Sequence, residues 1–572
     1  LAAVLPKKPH IRFADHADVL PREIDQESIR NFLLITSVDD SNGARRSGPH
    51  LLAEYFLAGW SFDDVIEYLL DRWSDRCASV VARLKAADEE RDGESHSLEG
   101  CPAVWRVALD RMAQDESVTS AVDAVLDEIA ELAGSSACLS ALQDFCLIAA
   151  TKRHHSSVGP EIGKQRNQII RLAAPRGIIL RLAADGVIAT LTGSGNPEMP
   201  HAPLPAPVVK QVGTRVDDFG VCRLKSILDD PQLEMFHASA AGILLAADPR
   251  WRPENHAKLT LVHAVLDGAE WDGIELPAVL LSRASLMRAS LVGSELMVAK
   301  LDFANFQSAD LRDANLTGAD AVKANFSGAD LCGVVAQSAY FTFATFEGAK
   351  LDEARLDHAM FRGANLKNAS FRDACLLDTD FKEAVVDGAD FRDAVLDTAD
   401  FDDVALGRAN LHGASFYGSS LQRCNLEFIE PGLGADFRSA SLMGAHLTGA
   451  QLPNARMERA DLRAAGLADI NLEEANLRGA LLDGATFHMG SSRSGLVGSP
   501  LASEGTRTGF YTDEYEEQHY RDPEEVRKAN LRGADLRDAS VQNTDFYLVD
   551  LRGALYSPDQ RRHFERCGAI LD

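Results

Sequence analysis

Between residues 286 and 487, apolar residues recur every five positions, in units such as SRASL, MRASL, DFANF, QSADL and RDANL. Stepping by five from Leu286 to Leu426 visits 29 positions, of which 26 are Leu or Phe; the exceptions are Ala321, Ala336 and Val386. Two residues before each, 23 of the 29 are Ala, a regularity that chance does not produce. A period of five matches neither the 3.6 of a helix nor the 2.0 of a strand, so either element would scatter these residues over all faces. A short fixed period is the signature of a solenoid.

If each unit forms one side of a square coil, its central Leu or Phe and the small residue two before it point inward, and the other three face solvent. Four units make a coil of twenty residues, so residues twenty apart stack. Phe341, Phe361, Phe381 and Phe401 then form one core ladder, Phe306, Phe326 and Phe346 another, and Phe371 and Phe391 part of a third. At about 4.8 Å per coil, roughly eleven coils extend about 50 Å.

The units Ala314-Asn-Leu316, Ala329-Asp-Leu331, Ala364-Asn-Leu366 and Ala389-Asp-Phe391 resemble the A-(D/N)-L-x-x pattern of the pentapeptide-repeat family. That resemblance implies a right-handed quadrilateral β-helix over 259–487, with a last coil at 528–556. It implies no particular activity.

Upstream, apolar residues follow helical spacing. Ser61 makes a cap-like start, Val65, Leu69, Leu70 and Trp73 form a stripe, and Val80, Val81 and Leu84 continue it. Further helices are expected at 103–112, 121–132 and 137–151, with Thr119 or Ser120 as N-cap and Gly134 as the stop of the middle one. Together with 156–193 this makes an α-helical N-terminal region, 1–193, and a chain of the multidomain α plus all-β solenoid class.

The stretch His50-Leu-Leu-Ala-Glu54-Tyr55-Phe56-Leu-Ala58 resembles a helix that follows the ATPase module in NACHT-type signal-transduction ATPases. That resemblance implies a nucleotide-binding module upstream of Leu1. The alternative is an ordinary amphipathic helix burying Leu52, Tyr55 and Phe56. Within the chain the nearest approach to a phosphate-binding loop ends Gly163-Lys164-Gln165, but Val158 stands where the first Gly belongs and Gln165 replaces the Ser or Thr that binds magnesium. A first residue that is Leu, not Met, suggests a fragment or a processed product.

Five prolines between Pro197 and Pro207 mark an extended linker, 194–208, before a short segment of one or two helices, 209–258. Leu266, Trp271, Leu276 and Leu281 already keep the five-residue step, with Trp271 read as a cap over the open core end. Two interruptions follow. Glu430-Pro-Gly-Leu-Gly434 adds one residue, and the repeat stops from His488 to about Arg527 before resuming at Ala529-Asn-Leu531. Such an excursion must leave and return at one place, which makes it a surface loop. The last residues, 557–572, are read as a capping helix.

The 572 residues carry 58 Lys and Arg against 86 Asp and Glu, a formal charge of −28 that argues against general nucleic-acid binding. Nine cysteines lack metal spacing and indicate reduced thiols in a cytoplasmic protein. No apolar run has the roughly 18 to 20 residues that span a bilayer. His154 and His155 are adjacent and are read as a solvated helix end. No catalytic motif, cofactor site or metal site is found, and no enzyme is expected.

Functional chemistry is sought on outward positions. Between Phe371 and Asn410 eleven acids face four bases, a net −7, with Asp380 over Asp400, Asp373 over Asp393 and Glu383 over Asp403 in adjacent coils. With Asp390, these are candidate contacts for a protein partner, as are Tyr511, Tyr515 and Tyr520 in the excursion. An exterior Asp390 is expected to tolerate Asn, neutrally or with mild stabilisation. Three functions fit: an interaction scaffold, the sensor part of a signalling or defence ATPase, or an acidic mimic of DNA that inhibits a type II topoisomerase. Solubility alone also accounts for an acidic face.

Overall fold

The computed structural model describes residues 62–89, 98, 102–134, 136–151, 176–193, 202–253, 259–429, 434–487 and 529–572, with the backbone of 12–13 and 34–35. The chain divides into two compact units, Leu1–Gly186 and Val187–Asp572.

In the first unit, two short strands pair in parallel, β1 (Arg12–Phe13) with β2 (Leu34–Ile35), so the earliest residues are not wholly helical as their sequence suggests. The helices are α1 (Phe62–Arg72), α2 (Cys77–Glu89), α3 (Pro102–Gln114), α4 (Ala121–Ala133), α5 (Ser136–Thr151) and α6 (Arg176–Thr192), the last running past the unit's end. Ser120 is the N-cap of α4, its hydroxyl accepting from the Asp123 N–H at 3.0 Å, and Gly134 ends the helix in the left-handed region at φ 66. Val65, Leu69, Val80 and Leu84 are buried, but Leu70 is exposed because it lies about 100° round α1 from Leu69, off the buried stripe. Arg83 closes the far end of α3: its guanidinium donates to the Met112 carbonyl at 2.6 Å and the Val118 carbonyl at 2.5 Å, satisfying acceptors that a helix end leaves open. Ser61, the His50–Ala58 stretch, and His154 and His155 lie outside the described residues.

The second unit adds α7 (Ala206–Gly213), α8 (Asp218–Asp229) and α9 (Glu234–Ala247), three helices where the sequence suggests one or two. Pro207 sits in the first turn of α7, where a missing N–H costs nothing, so the extended stretch ends at Pro205 and not at 208. Every residue of α9 from Phe236 to Leu245 is buried. Such a helix has no polar face to give solvent. It lies on the first solenoid coil: a β-carbon on Gly242 would stand 3.0 Å from the Val265 carbonyl oxygen and 3.2 Å from the Val209 side chain. The cap over the core's first end is therefore α9. Trp271 is wholly buried beneath it, donating its indole N–H to the Trp251 carbonyl at 3.0 Å.

From Thr260 onward the chain is a β-helix solenoid in which residues five apart bridge, in parallel, residues twenty further on, as in Thr260 with Leu280 and Asp310 with Asp330. The central Leu and Phe residues are buried, as are the small residues two before them except the half-buried Ala409 and Ala554. The ladders stack as their spacing predicts: Phe306, Phe326 and Phe346 at 5.0 and 4.8 Å, and Phe341, Phe361, Phe381 and Phe401 at 5.0, 5.4 and 4.5 Å between ring centroids. Neighbouring ladders meet edge to face, as Phe326 does Phe341 at 5.9 Å. Of the residues that replace Ala, Ser419 donates its hydroxyl to the Phe416 carbonyl and Thr379 to that of Leu356, whereas the buried Ser294 hydroxyl has no hydrogen-bond partner among the described residues.

Both interruptions keep the stacking. Across 430–433 the bridges run twenty-one apart, Ser415 to Asp436 and Ser420 to Ser441, and then return to twenty. After Phe487 they run fifty-nine apart, Asn471 to Asn530 and Thr486 to Asp545, a surplus of thirty-nine residues that leaves and rejoins the same coil. The far end is closed by α10 (Pro558–Cys567), with a Ser557–Gln560 capping box and Gly568 at φ 81. Phe564 packs on Phe546 at 4.6 Å, and the Gln560 amide donates to the Leu536 and Ala539 carbonyls at 2.7 and 2.9 Å.

Candidate functional site

The solenoid's surface is built from the three outward residues of each unit, and hydrogen bonding decides which of them are free. In the unit 310–314 all five N–H groups are satisfied: Asp310 donates to Ala289, Leu311 to Asp330, Asp313 to Cys332 and Ala314 back to Leu311, while Arg312 donates to the Asp310 side chain at 3.2 Å. The Asp or Asn before each Leu is therefore a backbone acceptor, an Asx turn repeated along the chain. Where Ser stands there instead, an Asp one coil earlier takes over. Asp397 accepts from the Ser415 hydroxyl and the Tyr417 N–H, and Asp402 from the Ser420 hydroxyl and the Gln422 N–H. The residue two after each Leu closes the turn at φ near +57, as at Asp313 and Val298.

These roles divide the acidic candidates. Asp380 is an Asx acceptor for the Lys382 N–H at 2.9 Å. Asp400 does the same for Asp402 at 3.1 Å, and it pairs with the Lys382 ammonium. Asp390 is only 16% exposed and takes Arg372 at 2.6 Å and Arg392 at 2.7 Å. Burial pushes its carboxyl up, but the two guanidinium groups outweigh this and hold it at about 2. Glu383 pairs with Arg362 at 2.9 Å, and Asp403 with Arg423 at 2.6 Å, whose guanidinium keeps that carboxyl below its usual range. Asp373 and Asp393 stand exposed in one column at φ 54 and 56, with no ion-pair partner within 4 Å among the described residues. Stacking by twenties thus sets cations from neighbouring coils beside four of these acids, while Asp373 and Asp393 keep the block net negative. Tyr511, Tyr515 and Tyr520 lie outside the described residues.

The same stacking assembles an apolar surface that a search for charge passes over. On the face of the units centred on Leu281 to Phe401, Phe303, Tyr340, Phe343 and Met360 are 43–51% exposed. Phe303 carries Arg283 at 4.7 Å and Lys323 at 5.3 Å over its ring, and Phe343 lies over Gly363, where a β-carbon would meet its ring at 2.5 Å. The signal was present in the sequence, in the columns 280, 300, 320, 340 and 283, 303, 323, 343.

Among the described residues no group of three or more His, Cys, Asp and Glu is placed to hold a metal ion, and no helix is long and apolar enough to cross a membrane. The buried Cys146 thiol is pushed up to about 12 by desolvation, and that of Cys424 is pushed up further.

A β-helix of five-residue units with this backbone accounting defines a class of repeat protein, and comparison places the chain within it. Family models match as a pentapeptide repeat region at 354–430 and as pentapeptide repeats at 299–335, 434–467, 460–489 and 526–553. The chain belongs to the pentapeptide-repeat family. It is 30% identical to HetL, a pentapeptide repeat protein involved in heterocyst differentiation regulation from the cyanobacterium Nostoc sp. strain PCC 7120, over 38% of this chain and 90% of that one, with a TM-score of 0.23. Full-length QnrB1, a plasmid-mediated fluoroquinolone resistance protein, is 18% identical over 41% of this chain and 91% of its own, with a TM-score of 0.19. Rfr23 from the cyanobacterium Cyanothece 51142 is 20% identical over 23% and 86%, with a TM-score of 0.10. No curated protein matches the chain.

Proposed function

We propose that the protein is a non-enzymatic interaction scaffold whose β-helix, right-handed and quadrilateral, presents a protein-binding face. The supporting observation is the group Phe303, Tyr340, Phe343 and Met360, which the fold's own hydrogen bonds and core do not use and which remains exposed. Large exposed apolar side chains gathered on one face mark contact surfaces, and aromatic residues dominate binding energy at such surfaces. In this reading 259–487 and 528–556 carry the binding face, and 488–527 supplies a second contact through its tyrosines. The setting is the cytoplasm and the partner a protein, bound without nucleic acid or membrane.

The ion pairs of Asp390, Asp400, Asp403 and Glu383 weigh against the mimicry of DNA, since these four carboxylates have a cation beside them. Nothing described bears on the signalling ATPase.

Capture on immobilised protein followed by mass spectrometry, comparing the native chain with a Tyr340→Ser, Phe343→Ser variant, tests the scaffold. A discrete protein retained by the native chain and lost from the variant supports this reading. Equal retention by both counts against it.

A further inference from the structure

The face centred on Tyr340 and Phe343 is polar in a directional sense. Toward the solenoid's first end it carries Arg283, Lys300 and Lys323, in the middle the aromatic group, and toward the far end Asp380, Glu383, Asp400 and Asp403. With Asp302 and Asp320 counted at the first end and Arg362, Lys382 and Asp402 at the far end, the two ends balance at +1 and −3. A surface of that kind is its own complement when it is turned end over end.

We propose that this face is the interface of a two-fold symmetric dimer, formed with a second, antiparallel copy of the chain. The construction needs only the register. Place the two-fold axis in the plane of contact, along the strand of the coil of Tyr340, Thr342 and Phe343 and at right angles to the stack of coils. Each column of one copy then lies over the same column of the other, reversed.

In the column whose bridges run Leu280, Lys300, Asp320, Tyr340, Met360, Asp380 and Asp400, Lys300 meets the second copy's Asp380 and Tyr340 meets itself. In the next column Asp302 meets Lys382. In the third, Arg283 meets Asp403, Phe303 meets the aliphatic stem of Glu383, and Phe343 meets Phe343. Because the axis is two-fold, each unlike pair occurs twice. No like charges face one another at any outward position from 280 to 403. Sliding the second copy one coil toward the far end, which moves the axis half a coil, sets Arg283 against Arg423 and Asp320 against Asp380; sliding it one coil the other way brings no like charges together but keeps only two unlike pairs, Arg283 with Glu383 and Asp302 with Arg362, and no aromatic residue against another.

Within one copy Lys300 binds Asp320 at 3.0 Å, Lys382 binds Asp400, and Arg423 binds Asp403, on exposed or half-exposed side chains that can exchange partners at little cost. Apolar contact at the centre supplies affinity, and the charges at the ends fix direction and register. The strip from Arg283 to Asp403 spans six coil steps, about 29 Å, one face wide. That places the contact at the small end of protein interfaces.

The proposal rests on reading the solenoid as an interaction surface, but it fails separately from it. Sedimentation velocity on the full chain from about 1 to 100 micromolar is the test. A monomer–dimer equilibrium is expected, weakened at high salt. Arg283→Glu alone and Asp403→Arg alone each set like charges opposite one another and should weaken the dimer about tenfold or more. Both changes in one chain should restore it to within about threefold, with melting temperatures checked for all three. Phe343→Ser, on an exposed side chain, should abolish association without unfolding. A native chain monomeric at the highest concentration overturns the dimer, as do single variants that associate like the native chain or a combined variant as weak as the singles. A monomer that still captures another protein removes the dimer and leaves the scaffold standing.

Discussion

Phe361 and Phe381 lie one coil apart with ring centroids 5.4 Å from each other and planes within 5°, and both are completely buried. Phe361 also stacks on Phe341 at 5.0 Å and meets Phe346 and Phe371 edge to face. Phe361→Ala removes contacts on all these sides in a core that cannot collapse, because the backbone bridges fix its walls. A loss of roughly 3 to 5 kcal/mol is expected in denaturant unfolding. A loss below about 1 kcal/mol is the value of an exposed site and contradicts the inward assignment.

Asp390 behaves otherwise. Asn at this position keeps the acceptor for the Arg392 N–H but leaves two guanidinium groups without a carboxylate. Asp390→Asn is thus expected to destabilise by roughly 1 to 2 kcal/mol at neutral pH, where an exterior carboxylate among like charges would have made the change neutral or favourable. The folded carboxyl is held at about 2, below its value in the unfolded chain, so the charged form stabilises the native state above an unfolded pKa of about 3.9. The difference between native and variant chains should be full at pH 7, shrink as pH falls below about 4, and vanish near 2. Melting curves across that range check it.

Val298 is β-branched, exposed, and held at φ 56. Its branched side chain is strained there, whereas Asn adopts this region readily. Val298→Asn should stabilise by about 0.5 to 1 kcal/mol, and a destabilisation would mean that the side chain has a contact worth more than the strain.

Excising 489–527 rejoins His488 to Lys528 and restores the step of five between Phe487 and Leu531. The bridges Asn471–Asn530 and Thr486–Asp545 then become ordinary twenty-residue pairs. Circular dichroism and cooperative melting should be retained. Excising 488–527 removes one residue too many, turns the following side chains to the wrong faces, and should cost cooperativity.

The solenoid was legible because its period is stated in residue types: Leu or Phe at one position, Ala two before, Phe again at twenty. Its caps were less so. Helix α9 is buried on every side, so no stripe separates it from other apolar sequence, and its placement over Val265 depends on Gly242 meeting a residue twenty-three positions later. The acidic residues were visible, but their employment was not. That Asp390 answers Arg372 and Asp402 answers the Gln422 N–H follows only once each N–H in a coil is assigned a partner. The aromatic face was missed for the opposite reason: Phe303, Tyr340 and Phe343 were in plain sequence, and only reading outward columns by twenties joins them.

The division between residues that fold the chain and residues that bind is tested most directly by a Tyr340→Ser, Phe343→Ser variant measured in two ways at once, by unfolding free energy and by association with a protein partner or a second copy. Unfolding should change by less than about 0.5 kcal/mol per site while association is lost. A stability loss like that of Phe361→Ala, or association unchanged from the native chain, would contradict it.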